Sequence, residues 1–202
     1  MQSGSDHFFP LQIIYEPLIG KNVIELVRVD STNAFADTLL MQGQPADGDV
    51  VWAHEQFAGR GQHDHIWTSA PGKNLTFTVI LRPSFLAPDR QFLLNKAVAL
   101  ALVDFIDHSL NAASRIPHPV SCITRPSLSI KWPNDIYAAD KKIGGILIEN
   151  KIMGATLETS LAGIGVNINQ EHFPAGIPNP VSLIHFLHRE IALKDALLNL
   201  CG

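Results

Sequence analysis

The stretch from Ser129 to Asn150, S-I-K-W-P-N-D-I-Y-A-A-D-K-K-I-G-G-I-L-I-E-N, constrains the fold more than any other part of the chain. A short apolar run ends in Lys131 and Trp132, Pro133, Asn134 and Asp135 supply turn chemistry, and a β-branched run resumes from Ile143 to Ile148. The pattern predicts two strands joined by a polar connection. Pro133 lacks an N–H and Gly144-Gly145 lack side chains, so the backbone can turn sharply here and admit a close neighbour. Lys131, Asp135 and Lys142 are then expected at one end of a sheet. The same residues also fit two ordinary strands with surface lysines, so the choice falls to the rest of the chain.

Residues 22 to 29 (N-V-I-E-L-V-R-V) alternate as a strand, and Asp30-Ser31-Thr32-Asn33 interrupts them before an apolar-periodic segment through Met41. The plain reading of this cluster is N-capping, because Asp, Ser and Asn oxygens accept from the free N–H groups of a first turn. The functional reading is a ligand site at a strand's carboxyl end beside a helix N-terminus.

A strand follows from Asp49 to Ala53, then His54-Glu55-Gln56-Phe57 and the insertion A-G-R-G-Q-H-D-H-I-W-T-S-A-P-G-K-N before a strand starting at Leu75. The insertion is too long for a hairpin turn, and such loops in compact domains are usually functional. Gly59-Arg60-Gly61 places one guanidinium between two permissive residues, while Ile66 and Trp67 argue for a loop that folds over something. His63, Asp64 and His65 are of metal-ligating type but lack further ligands in the sequence around them.

Pro88 to Leu110 carries the clearest helical spacing, with scaffold residues such as Phe92, Ala97, Leu100 and Ile106. Asn111 to Ser127, with three prolines, reads as a long loop. Beyond Asn150 a hairpin and a further strand end in G-I-G-V-N, where Gly163 and Gly165 open space in front of Asn167. The tail is a proline-rich coil, with a helix from about Leu193. His185 and His188 stand at helical spacing, as exposed pairs often do. The reading is one domain over 1–202, with an N-terminal extension at 1–20 and a C-terminal helical segment at 181–202.

Composition excludes several classes. A net charge of −4 lacks the massed Lys and Arg of a duplex-binding surface. No run reaches membrane-spanning length, and the opening residues lack a signal layout, so an intracellular, cytoplasmic protein is expected. Cys122 and Cys201, widely spaced, suggest neither a disulfide framework nor a thiolate metal site. Three polar loops at strand ends remain: Ser31-Thr32-Asn33, Gln56 through Trp67, and Lys131 through Gly145 with Asn167. They offer hydroxyl and amide groups for a neutral polar ligand, an Arg and free N–H groups for phosphate, and Lys for developing negative charge. That inventory suits attack of a carboxylate on a nucleotide phosphate. No G-x-x-x-x-G-K-[ST] and no G-x-G-x-x-G follows the first strand, so the usual nucleotide folds are disfavoured.

D-S-T-N at 30–33, E-Q-F-A-G-R-G-Q at 55–62 with Trp67, K-W-P-N-D-I at 131–136, K-K-I-G-G-I-L-I-E at 141–149 and G-I-G-V-N at 163–167 resemble the catalytic domain of biotin protein ligases, in that family's order. The resemblance implies an α+β fold, with a mixed, largely antiparallel sheet and helices mainly on one face. It implies biotin, ATP and Mg²⁺, a biotinyl-5′-adenylate, and transfer to a lysine of a biotin carboxyl carrier domain of a carboxylase, and it is compatible with a homodimer. By the same resemblance Ser31, Thr32, Asn33 and Gln56 lie around the biotin rings, and Gly59, Arg60 and Gly61 form the loop that closes over biotin and adenylate. Lys142 meets the carboxylate and the reacting phosphate, and Gly145 lines the pocket. Lys131, Asn134 and Asp135 serve the phosphates, with Mg²⁺ near Asp135, while Gln62, Trp67 and Asn167 fall on the adenylate. Lys142, Arg60 and Lys131 are the expected catalytic residues.

Two departures stand out. Family members carry a basic residue where Gln62 stands and a Gly where Asp64 stands, so the loop is expected to grip an anionic adenylate less firmly. The chain also shows no helix-turn-helix before this region and no C-terminal β-barrel after it, which favours an enzyme without operator binding. A lipoate or octanoate ligase of related fold, and a non-catalytic biotin-binding or carrier-docking module, are the alternatives.

Overall fold

The computed structural model describes residues 18–62, 65–114 and 125–202. His63, Asp64, Cys122 and most of the N-terminal extension therefore lie outside the described residues. The predicted first strand is β1 (Val23–Val29), followed by α1 (Thr32–Met41). β2 (Val50–Gln56) continues past Ala53, because parallel pairing to β1 holds through Arg28↔Glu55 and Val29↔Gln56. After β3 (Leu75–Leu81), a 3-10 turn at Pro88–Arg90 leads into α2 (Phe92–Ser114). The loop expected from Asn111 thus begins inside the helix. Ser109 Oγ donates to the Phe105 carbonyl and Asn111 Nδ2 to Asp107 Oδ2, both one turn back.

The 129–150 stretch holds three strands, not the two expected: β4 (Leu128–Lys131), β5 (Asp135–Ala138) and β6 (Lys141–Met153). β5 was hidden by its length, since turn residues flank it closely on both sides. It is secured by pairing on both edges, Ile130↔Ile136 and Ile136↔Gly144. β7 (Thr156–Val166) returns antiparallel to β6 through Gly154, whose φ of 60° a side chain would strain. Short α3 (Ile184–Leu187) and α4 (Leu193–Cys201) end the chain.

The strands form one sheet in the order β1-β2-β3-β7-β6-β5-β4, in which β1 and β2 are parallel and the other neighbours antiparallel. Strand alternation assigns the two faces. Trp52, Phe77, Val79, Ala162, Ile164, Val166, Ile146 and Ile136 join Leu102, Ile106 and Leu110 of α2 and Leu197 of α4 in the larger core. Val51, Ile80 and Leu161 point the other way, onto Ala36 and Leu39 of α1. Among the described residues helices α2, α3 and α4 therefore share one face while α1 covers the opposite one, in keeping with the expected α+β arrangement. β3 lies between both layers, which explains why it is buried along nearly its whole length.

The α1 face extends beyond the helix over the β4 half of the sheet. Lys131, Asp135, Gly145, Leu147, Glu149, Gly163 and Gly165 fall on it by register and alternation. Among the described residues no helix covers this part, and the insertion between β2 and β3 arches over it instead.

Candidate active site

Parallel pairing sets Val29 and Gln56 side by side at the carboxyl ends of β1 and β2, and α1 starts just beyond. Ser31 occupies the N-cap position with extended φ and ψ of −152° and 136°, yet its side chain makes no capping bond. The cap acceptor is Gln56, whose Oε1 receives the Thr32 N–H at 2.7 Å and the Thr32 hydroxyl at 3.1 Å. The capping reading of Ser31 is thereby corrected, for a physical reason: the paired strand delivers an amide oxygen to the same N–H. The Ser31 hydroxyl is left for something else, and Gln56, with its oxygen committed, presents its Nε2 as a donor.

Thr78 of β3 completes this end. Its Oγ lies 2.6 Å from Asn33 Oδ1 and 2.8 Å from Thr32 Oγ. The Asn33 oxygen can only accept, so the Thr78 proton goes there. Asn33 Nδ2 donates to Glu149 Oε2 at 2.6 Å. The carboxamide is held by protein on both sides, in the space left by Gly163, where a Cβ would fall 2.5 Å from Asn33 Oδ1. Asn33 shapes this end of the cavity through its packing rather than by offering a free amide.

The other end is cationic. Lys142 Nζ sits 2.7 Å from Asp135 Oδ1 and 5.9 Å from the Trp67 ring centroid. Lys131, paired in register with Asp135, lies 5.5 Å from the Tyr137 ring centroid. Arg60 is placed differently: its guanidinium reaches Glu149 Oε2 at 3.2 Å, the oxygen that also accepts from Asn33 Nδ2. The bulge between Ile136 and Tyr137 places Lys142 opposite Tyr137, on the site side of the sheet.

The insertion that carries Arg60 is a small hairpin over the sheet. Gly61 N–H donates to the His65 carbonyl, Trp67 N–H to the Gly59 carbonyl, and Arg60 bridges Ile66. Trp67 lies across the cross-strand pair Gly145↔Gly165: a Cβ on Gly165 would stand 2.4 Å from the indole and one on Gly145 3.3 Å away. Its Nε1 is buried without a hydrogen-bond partner. Trp67 does have the surface it was expected to cover. Ile66 does not, being 78% exposed, because neighbours on an extended segment point to opposite sides.

These parts enclose a cavity of about 550 Å³. Of the residues named from the sequence, Ser31, Thr32, Asn33, Gln56, Arg60, Gly61, Gln62, Trp67, Lys131, Asn134, Asp135, Lys142, Gly145 and Asn167 all line it. Gly59 does not: it lies in the outer groove behind the loop, against the Trp67 carbonyl. Asn134 also serves as a strand partner, its Nδ2 donating to the Ile146 carbonyl at 3.0 Å.

Sequence reasoning missed the wall beside Lys142, formed by Phe173, Ile177, Pro178 and Pro180. This coil is pinned by Lys142 N–H to the Asn179 carbonyl, Val181 N–H to the Lys142 carbonyl, and Asn167 Nδ2 to the Val181 carbonyl. Only the run of prolines hinted at a fixed segment. Thr78 was missed too, because it looks like an ordinary strand residue, and Glu149, though it ends the K-K-I-G-G-I-L-I-E motif, was given no role.

Among the described residues no group of three or more metal-capable side chains exists. His185 is committed at both ring nitrogens, Nδ1 accepting from Ser182 N–H and Nε2 facing the Glu171 carbonyl. In the cavity wall, Asp135 is the one carboxylate among the described residues. A divalent ion arriving with a phosphate-bearing ligand fits that donor set, since Mg²⁺ is usually held by one or two carboxylates plus phosphates. Three cations face one carboxylate on a chain of net charge −4, so the site favours an anion at one end and a neutral hydrogen-bonding group at the other.

Residues 25–167 match the biotin/lipoate A/B protein ligase family. A biotin–[acetyl-CoA-carboxylase] ligase of Paracoccus denitrificans is 36% identical over 148 residues, covering 71% of this chain and 53% of that protein. The chain thus spans about half the length of this curated relative. Among solved structures, the biotin protein ligase of Aquifex aeolicus in complex with biotin and ATP superposes with a TM-score of 0.65 at 28% identity, over 90% of this chain and 67% of that one. The biotin protein ligase of Leishmania major in complex with biotin gives 0.70 at 27% identity, over 89% and 71%. No helix among the described residues is long and apolar enough to cross a membrane.

Proposed function

Because this chain belongs to the biotin/lipoate A/B protein ligase family, we propose that it is a biotin protein ligase, forming biotinyl-5′-adenylate from biotin and ATP and passing the biotinyl group to a carrier-protein lysine. The observation that carries this reading is the polarity of the cavity: Ser31 and Gln56 line it where β1 and β2 end, Lys142 and Lys131 line it on β6 and β4, and Arg60 lies on the hairpin over it. A ureido carbonyl accepts from a hydroxyl and an amide N–H, whereas the dithiolane of lipoate offers no comparable acceptor. That difference favours biotin over lipoate or octanoate.

In the first step a biotin carboxylate oxygen attacks the α-phosphorus of ATP, and the bond to the bridging oxygen breaks as pyrophosphate leaves with the electron pair. Lys142 stands where carboxylate and phosphate meet, so its ammonium opposes their repulsion and stabilises the charge that builds up on the phosphate. Arg60 and Lys131 neutralise the remaining phosphate oxygens, and Trp67 excludes water from the mixed anhydride. Mg²⁺ held by the phosphates and Asp135 would supply further charge neutralisation. In the second step the neutral amine of the carrier lysine attacks the acyl carbon, AMP leaves, and the amine loses a proton to give an amide. The carrier in this reading is a biotin carboxyl carrier domain of a carboxylase, and the cytoplasm is the proposed compartment.

The test is pyrophosphate release from ATP with biotin, lipoate or octanoate as the acid. Release with biotin alone is expected. Release with lipoate, or tight biotin binding without release, would replace this reading by one of the alternatives.

A further inference from the structure

Glu149 stands outside the cavity wall yet joins two parts of it. Its Oε2 accepts from Asn33 Nδ2 at 2.6 Å and from an Arg60 guanidinium nitrogen at 3.2 Å. Asn33 belongs to α1 and to the neutral end of the cavity, while Arg60 belongs to the overarching hairpin. β6, which carries Glu149, alternates so that Leu147, Glu149 and Lys151 share the α1 face, and Lys151 also pairs with Asp37 of α1. One carboxylate oxygen thus serves helix, loop and strand together.

We propose that Glu149 is a positioning residue that latches the Arg60 hairpin to α1, so that Arg60 stays aimed into the cavity before any anion is bound. Its carboxylate occupies one nitrogen of a guanidinium that has five N–H donors, which leaves the other edge for a phosphate. Without the latch, the flexible Gly59-Arg60-Gly61 backbone must be ordered by the ligand itself, and that ordering weakens binding. The two bonds separate by chemistry. Glu149→Gln keeps an oxygen that can accept from Asn33 but removes the charge that holds Arg60, whereas Glu149→Ala removes both.

The proposal rests on the biotin ligase reading for its kinetic arm but not for its structural one. Trypsin cleaves after Arg60, so in the native protein Glu149→Gln should accelerate cleavage there several-fold, while cleavage at Arg82 and Lys151 keeps its wild-type rate. In the kinetic arm, Glu149→Gln should lower kcat/KM for ATP about tenfold, the size of a lost charge-assisted contact, with the KM for biotin within about twofold of wild type. Glu149→Ala should raise the biotin KM as well. In an Arg60→Ala background, Glu149→Gln should add almost nothing, since the partner it positions is gone. Unchanged cleavage at Arg60, equal acceleration at every site, or additive losses in the double variant would each overturn the proposal. If the wild-type protein releases no pyrophosphate with biotin, the functional reading falls, and the trypsin arm alone decides on Glu149.

Discussion

Lys142 and Asp135 form an ion pair of 2.7 Å in the cavity wall, on adjacent strands whose pairing is displaced by a bulge. The carboxylate fixes the ammonium near the Trp67 ring, so in the proposed reaction Lys142 would meet the phosphate from a defined position. Its charge should count more in the transition state, where the phosphate gains negative charge, than in ground-state binding. Lys142→Ala should lower adenylate formation about a hundredfold or more, roughly 3 kcal/mol, with a smaller loss in biotin affinity. Single-turnover kinetics beside equilibrium biotin binding check this, and equal losses in both would reduce Lys142 to a binding residue.

Gly165 has no room for a side chain, since its Cβ would stand 2.4 Å from the Trp67 indole. The backbone there is regular strand that alanine tolerates, so the clash falls on Trp67. Gly165→Ala should lower adenylate formation about tenfold, as expected when a packed group is displaced by about an ångström, while thermal stability changes little. Intrinsic fluorescence should shift to the red as the indole moves toward water. A variant with wild-type emission and activity would show that Trp67 does not depend on this track.

Gln62 lines the cavity beside Arg60 as a neutral amide, where the resemblance noted in the sequence leads one to expect a cation. Replacing a charged contact to the adenylate removes about 1.5 to 3 kcal/mol, so this protein should release its intermediate readily. Gln62→Arg should slow that release about tenfold or more. The measurement is a chase of preformed adenylate by dilution, and matching release rates in the two proteins would place Gln62 away from the phosphate.

Cys201 ends α4 against Gly20, and burial raises its thiol pKa from 9.0 to about 11. Between those values the folded chain holds a proton that the unfolded chain releases, so stability falls as pH rises through this window. Cys201→Ala should flatten the fall in Tm between about pH 9 and 11 that this shift implies. In a Cys122→Ser background, the folded thiol should react with a disulfide reagent at pH 8 about a hundredfold more slowly than in denaturant. Equal rates would show that the thiol is accessible and unshifted.

The strands and main helices were legible because alternation, helical spacing and turn residues are local signals. β5 was not, because four residues between two turn clusters carry almost no periodicity, and only pairing on both edges makes them a strand. The same division runs through the site. The hydroxyls, amides and cations of D-S-T-N, G-R-G-Q and K-W-P-N-D are unusual enough in composition to be noticed. Thr78 is not, and Glu149, though it ends the K-K-I-G-G-I-L-I-E motif, carries no visible role, since each has the look of an ordinary strand residue until its partners are known.

The sequence by itself determined which chemistry was on hand, namely neutral donors at one strand end and cations at another, and where the backbone could turn or be closely approached. The tertiary structure alone decided how those groups are used. Parallel pairing of β1 with β2 put Gln56 on the Thr32 N–H and released Ser31 from capping. The sheet order brought Asn33 to Glu149 across 116 residues of sequence. Such partnerships are set by strand order and register, which depend on how the whole apolar surface is buried, and no local stretch of chain encodes that.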